Sequence, residues 1–505
     1  MKKLLCSILA AVMLLTCVGC GGGDTASGSG ANVDGEADYP VLRFHMISLT
    51  GEARPKQEEV IEALNEVLRE KAQAEVEPVW VSFSEMSQQL NLMLTGGDDS
   101  LDFFCSFWYE PVSNLVSSGQ VIALDDLAAE YGQETLDLFE GYEDVLNCGR
   151  VDGKLYGIPS VTAWTNQNFY FAMKEDVEKA NVDLSHVTDI DSLTDALLTL
   201  KEANPDHYYI PGATEPYLIP QAIDNMGDQN NLGVLTDPAN STTVENYYES
   251  DFFLNLLENV KIWQENDIIS PDPMSNTNPT LGSIRAGIAS GTTGYSWSPE
   301  EFVYEGNLSM DYGGEIAGTA ISPKYITTGS ATTYMWHITP FCDDPAAAMR
   351  VLNVLFTDPE AATLFAYGIE GVTYQMDENG MATFMDGEDN NNSGWNNGVG
   401  SNIVCNFTLA PVWDTQAPDK NEQMIQCNEE AVKSQALGFS FNSEPVSGQV
   451  AACANVVAQY YLPLMNGVVD IDEVLPVFQQ ALHDAGIDDI IAEKQAQLDA
   501  WLASK

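Results

Sequence analysis

Two hydrophobic periods alternate along the first part of the chain. Val41-Leu42-Arg43-Phe44-His45-Met46-Ile47 is an apolar-rich run of strand length. Val60, Ile61, Leu64, Val67 and Leu68 then recur at helical spacing among Glu, Arg and Lys, which predicts an amphipathic helix from about Pro55 to Ala72. Val76 to Phe83 is a second strand, Met86 to Leu94 a helix closed by Gly96-Gly97, and Leu101 to Cys105 a third strand. This order predicts an α/β domain with a largely parallel sheet, where ligands gather beyond the carboxyl ends of strands. Phe107-Trp108-Tyr109 stands directly after the third strand.

Further along, Leu124 to Tyr131 and Gln133 to Asp144 have the pattern of short helices. Val151 to Pro159 reads as a turn, a strand and a stop, and Phe169 to Met173 as another strand. Helices are expected over Ser192 to Ala203, Phe252 to Asn266 and Pro345 to Phe356. Strands are expected over Thr292 to Trp297, Glu315 to Ile321 and Met335 to Pro340. An Asn- and Gly-rich stretch, Asp389 to Asn402, precedes a helical run from about Ser447 to Leu498.

Charge narrows the function classes. The 505 residues hold 20 Lys+Arg against 75 Asp+Glu, a formal net charge of -55. That balance opposes nucleic-acid phosphates and anionic lipid surfaces, and suits a soluble, self-repelling exported protein. Lys2 and Lys3 precede an apolar stretch, Leu4 to Val18, of signal-peptide length and too short for a comfortable membrane span. Gly19-Cys20 at its end resembles the bacterial lipobox, which implies cleavage after residue 19 and acylation (palmitate among the acyl groups) of Cys20. The position three before Cys20 is Cys17, where the lipobox prefers Leu; cleavage before Cys17 would put Thr16 at the cut and fits less well. Gly21 to Asp38 is rich in Gly, Ser, Ala and Asp and reads as a flexible tether with a reach on the order of 25 Å. The expectation is therefore 1–19 as signal peptide, 20–40 as acylated cysteine and tether, and lipid as the sole anchor. Beyond the leader, Cys105, Cys148, Cys342, Cys405, Cys427 and Cys453 show no CxxC spacing, and their disulfide state stays open between pairs and isolated buried thiols.

Several segments together resemble the family 1 extracellular solute-binding proteins of ABC importers, especially the carbohydrate-binding members. Asp152-Gly153-Lys154-Leu155-Tyr156-Gly157-Ile158-Pro159 looks like that family's first crossing between lobes, and Gly294-Tyr295-Ser296-Trp297 like the strand carrying a sugar-stacking tryptophan. Thr332 to Phe356 looks like the return crossing and its helix. Gly438-Phe439-Ser440-Phe441 through Val446, with Asp488 to Leu502, resembles the additional C-terminal segment of one lipoprotein subgroup. The resemblance implies a two-lobed, type II periplasmic-binding-protein-like α/β fold, a hinge between the lobes and ligand in the interlobe cleft. Lobe 1 is expected over 41–160 and 330–365, and lobe 2 over 161–329 and 366–505, including the C-terminal helices. It also implies a monomer on the outer face of the bacterial cytoplasmic membrane that binds a small ligand, meets ABC permease subunits and uses no cofactor.

A sugar presents C–H faces, which rings cover, and hydroxyl edges, which amides and carboxylates satisfy. Candidate ligand contacts are therefore Trp108, Tyr109, Trp164, Asn166, Trp297, Tyr334, Trp336, Glu370, Tyr374 and Trp395, for each of which core or hinge packing is the competing expectation. Trp263 and Trp501 lie on amphipathic helices and are expected in the core. No G-x-S-x-G elbow, H-E-x-x-H pair or Walker A loop is present, and the five histidines show no metal-ligand spacing. His337 lies in an apolar strand and is expected to be a satisfied structural histidine. The reading is carbohydrate capture for an ABC importer, without catalysis or metal. The alternatives are the same fold binding a peptide or other polar metabolite, which the six arginines of the chain disfavour, a surface glycoside hydrolase, and a purely adhesive lipoprotein.

Overall fold

The run Val41–Ser48 is a strand buried on both faces over most of its length: Leu42, Phe44 and Met46 are almost fully covered on one, His45 and Ile47 on the other. The computed structural model describes residues 39–48, 51–96, 100–107, 110–213, 223–228, 230–278, 280–298, 312–389, 392–395 and 404–505. The tether, Cys20, Trp108 and Tyr109 lie outside the described residues. Helix Gln57–Lys71 buries Val60, Leu64, Val67 and Leu68, and leads to strand Glu75–Ser82, which pairs in parallel with Val41–Ser48. Arg69, in the helix's last turn, bridges Glu62 at 2.8 Å and Glu75 at 2.6 Å and so ties the helix to the start of that strand.

The next pairings depart from the expected parallel sheet. Strand Phe103–Phe107, buried throughout, pairs antiparallel with Tyr334–Ile338, which pairs antiparallel with Ile158–Pro159. The reason is connectivity: the chain leaves after Pro159 and returns some 170 residues later in the reverse direction. Asp102 joins this group to the parallel pair. Its carboxylate accepts from Arg43 N at 2.7 Å, and its own N–H donates to Arg43 O at 2.9 Å.

A second core forms around strand Gln167–Met173, flanked by Gly291–Ser296 and Ile316–Ala320, both antiparallel to it. Helix Ile190–Ala203, capped by Asp189 and Ser192, packs on helix Asp251–Glu265, capped by Ser250. Trp263 is fully buried there, its indole N–H donating to Thr194 Oγ1 at 2.7 Å. The helical run expected near the C-terminus is three helices, Ser447–Met465, Ile471–Ala485 and Ile487–Ser504, which bury Tyr461, Phe478 and Ile490 against this second core. Trp501 is half-buried against it. Helices Lys174–Ala180, Pro359–Tyr367 and Lys420–Glu430 had no counterpart in the sequence reading. Within the 366–505 range expected in the second lobe, Trp395, Val404, Cys405 and Ala410 pack in the first core, Trp395 against Phe365 and Trp80.

Among the described residues the chain changes core at three places: between Trp164 and Tyr170, between Ile321 and Ile326, and between Ala410 and Phe439. One side chain binds two of these passages. The buried Asn428 accepts from Trp164 N at 2.8 Å and Thr165 N at 3.2 Å, and donates to Thr162 O at 2.8 Å. Val161 and Phe407 add a backbone bridge, Val161 N to Cys405 O at 2.8 Å and Phe407 N to Val161 O at 2.9 Å. Tyr325 and Asn166 exchange both backbone bonds, at 2.9 and 3.1 Å.

The six cysteines among the described residues are buried free thiols. Burial pushes Cys148 and Cys342 up to about 12, so both stay protonated. His337 is a satisfied core histidine, with Nδ1 2.7 Å from Tyr156 O and Nε2 2.9 Å from Ser106 Oγ. His45 is equally buried, but neither ring nitrogen has a hydrogen-bond partner. Burial lowers both histidines from 6.5 to about 4.

Two predictions follow from this packing. The unfolded chain binds more protons than the folded one between about pH 6.5 and pH 4, so this part of the stability is complete above that window and is lost as pH falls through it. His45→Leu should therefore flatten the acid side of the urea midpoint-versus-pH curve at little cost near pH 7, whereas His337→Leu, which strands Ser106 and Tyr156, should cost ~1–3 kcal/mol at neutral pH. Equal neutral-pH midpoints for the two variants would contradict the difference in pairing. Asn428→Ala removes the acceptor of two buried backbone N–H groups and should lower unfolding free energy by ~2–4 kcal/mol in urea titration. An unchanged midpoint would show that the passages hold without it.

Candidate functional site

A cleft of about 740 Å³ opens where the passages lie, and residues of both cores wall it. Tyr334, at the start of strand Tyr334–Ile338, lines it from the first core, supported edge-on by Phe107 with ring centroids 5.8 Å apart. Phe407 stands beside it at 6.1 Å. Tyr367, from the end of helix Pro359–Tyr367, and Trp413 form a T-shaped pair at 5.0 Å on the same side. From the end of strand Gly291–Ser296, which flanks Gln167–Met173, come Tyr295 and, one residue past the strand, Trp297. Trp297 is 7 % exposed and backed by Met424 and Cys427, whereas Tyr295 is 53 % exposed.

The polar lining is almost entirely uncharged. The passages supply Thr162, Thr165, Asn166, Tyr325, Thr327 and Ser330, and the loop around Asp228 supplies Asn225, Asn230 and Asn231. Lys420 is the sole charged side chain among the described lining residues, which include no Asp, Glu or Arg. Burial raises the phenols of Tyr325 and Tyr367, so both hydroxyls stay neutral hydrogen-bond groups at physiological pH. Rings with apolar faces, amides that donate and accept, and protonated hydroxyls suit an uncharged, polyhydroxylated molecule. The described lining offers no pair of carboxylates for general acid and base work on a glycosidic bond. Among the described residues, no group of three or more His, Cys, Asp or Glu is placed to hold a metal ion.

The candidates divide in position. Asn166, Trp297 and Tyr334 line the cleft together. Trp164 and Trp336 do not: both are buried in the first core and both indoles donate to Ser160, to its carbonyl at 2.9 Å and its hydroxyl at 3.2 Å. They brace the passage that leaves strand Ile158–Pro159. Trp395 is buried against Trp80, its indole donating to Phe365 O at 3.0 Å. Tyr374 sits 5.9 Å from Tyr367, one layer behind the wall, and Glu370 is exposed on the adjoining turn. The cleft also uses rings that sequence reasoning passed over. Tyr295 carried a signal, since it shares the pleat direction of Trp297 two residues later. The asparagine cluster 225–231 carried one in composition. Trp413, in a stretch without periodicity, carried none.

The chain matches the family described as bacterial extracellular solute-binding protein over residues 50–362, and a domain of unknown function, DUF3502, over 435–503. A Streptococcus pneumoniae serotype 4 protein named carbohydrate ABC transporter substrate-binding protein is 25% identical over 498 residues, covering 95% of this chain and 94% of that one. The crystal structure of the N-glycan transport solute-binding protein NgtS from Streptococcus pneumoniae aligns with a TM-score of 0.79 at 20% identity, over 92% of this chain and 99% of that one. The structure of the same protein in complex with Man1GlcNAc aligns with a TM-score of 0.71 at 21% identity, over 92% and 100%. These likenesses show the type II solute-binding fold, and the relatives are substrate-binding proteins and not enzymes. The family match covers more than half of the chain, and with the cleft between two cores it places this protein among the bacterial extracellular solute-binding proteins.

Proposed function

We propose that this protein captures an uncharged oligosaccharide outside the cell and delivers it to the permease of an ABC importer. The observation that carries the reading is the cleft wall: among its described residues, aromatic rings and neutral amide and hydroxyl groups from both cores, with Lys420 as the one charged side chain. The names of the relatives, a carbohydrate substrate-binding protein and an N-glycan transport protein, support it. Trp297, Tyr295, Tyr334 and Trp413 cover sugar faces, and Asn166 and the asparagine loop meet hydroxyl edges. The ligand favours the closed form by its greater affinity for it. The chain performs no chemistry on the glycan. Cys20 is acylated and holds the protein, as a monomer, on the outer face of the cytoplasmic membrane. The lipobox-like Gly19-Cys20 and the tether after it support this part of the reading.

The test is a thermal-shift screen of the soluble chain from Ala26 onward against neutral and acidic oligosaccharides, with peptides and amino acids as controls. A ligand that binds only the folded form, at about 100 times its dissociation constant, adds roughly 2.7 kcal/mol. A neutral glycan should shift the transition and be recovered intact. Trp297→Ala should weaken its binding by about 30-fold or more, as loss of an aromatic anchor does, while Trp336→Phe should leave affinity within about twofold because that ring does not line the cleft. A shift with peptides alone would replace the carbohydrate reading, and recovery of cleaved glycan would replace capture with catalysis.

A further inference from the structure

The C-terminal helices reach the cleft by two routes. Directly, Val457 and Tyr461 of helix Ser447–Met465 form part of its wall. Indirectly, the other two helices hold the loop that presents Asn225, Asn230 and Asn231. Lys494, on helix Ile487–Ser504, is fully buried, with Nζ 3.1 Å from Asp228 Oδ2 and donating to Gly233 O at 2.8 Å. Asp228 in turn accepts the N–H groups of Asn230 at 2.9 Å and Leu232 at 2.8 Å. From helix Ile471–Ala485, Gln479 donates to Tyr248 O at 2.9 Å and Phe478 stands 4.9 Å from the Tyr248 ring. The Tyr248 hydroxyl then donates to Asn230 O at 2.7 Å. A buried ammonium gains little net stability from such a pair, and the best-attested use of one is to fix a single arrangement of the groups around it.

We propose that the C-terminal segment is a working part of the ligand site, in which Lys494 is the positioning residue that fixes the asparagine loop and Tyr461 supplies wall, so that the segment sets affinity and selectivity among uncharged glycans. The proposal rests on the carbohydrate reading above and gives a role to the portion matching a domain of unknown function. Asn230 and Asn231 meet ligand only if the loop keeps one conformation. Two restraints from two different C-terminal helices converge on Asn230, one through Asp228 at its N–H and one through Tyr248 at its carbonyl.

The experiment is calorimetric titration with a panel of neutral oligosaccharides that includes mannosyl-N-acetylglucosamine. The wild-type chain is compared with Lys494→Met/Asp228→Asn, which removes both charges of the ion pair; the buried Asp224 nearby also faces Lys494, but burial already raises its pKa and favours its neutral form. The double variant should keep its unliganded melting temperature within a few degrees, lose affinity by about tenfold and change the order of preference among the glycans, as a misplaced specificity loop does. Lys494→Arg, which restores a donor and the charge, should recover part of the affinity. If the double variant does not fold, hydrogen exchange on the wild-type chain decides: glycan should protect peptides spanning 223–235 and 447–465. Unchanged affinity and preference in a folded variant, or no protection of those peptides, would overturn the proposal while leaving carbohydrate capture intact. A wild-type chain that takes no glycan in the panel would overturn the carbohydrate reading, and the proposal with it.

Discussion

The chain must pass between two cores, and it does so through peptide groups that burial would leave without partners. Asn428 resolves that constraint: its side-chain oxygen takes two buried N–H groups of the first passage, and its amide returns a bond to Thr162 O. Ser160 does the complementary work a few residues earlier, accepting the indoles of Trp164 and Trp336. The two cores therefore meet at a joint fixed by a few directional bonds. Such a joint can turn while each core stays packed, and a ligand that touches both sides can shift that turn only by its preference for one position.

Charge is distributed to match. The chain carries a formal charge of -55, yet the described cleft lining contains no carboxylate. The acids keep the surface solvated and repel one another. Inside the cleft, neutral amides and hydroxyls satisfy a polar ligand without the desolvation cost that an unpaired charge imposes. An acidic glycan would meet an unfavourable long-range field and, among the described lining, only Lys420 as a counter-charge.

The first core's opening elements were legible because one face of each is apolar with an unbroken period: Val60, Leu64, Val67 and Leu68 mark the helix, and Val41 to Ile47 the strand. The antiparallel return of Tyr334–Ile338 was not legible, since nothing local to Phe103–Phe107 specifies a partner more than 200 residues away. The same limit explains the tryptophans. Trp164 and Trp297 have similar local settings, each within a few residues of a strand. Whether the ring turns into the core or the cleft is decided by Ser160 in one case and by Met424 and Cys427 in the other, which only the fold brings near. Lys494 gave no signal either, because a lysine on an amphipathic helix is ordinarily solvated, and here Asp228 and Gly233 O draw it inward.

The central claim is that one uncharged glycan is gripped by both cores at once, and small-angle X-ray scattering of the soluble chain tests it most directly. The radius of gyration should fall measurably when a neutral oligosaccharide saturates the protein, and should stay at the unliganded value with an acidic one at the same concentration. A neutral glycan that binds tightly and leaves the radius of gyration unchanged would contradict closure across the joint and confine recognition to one core.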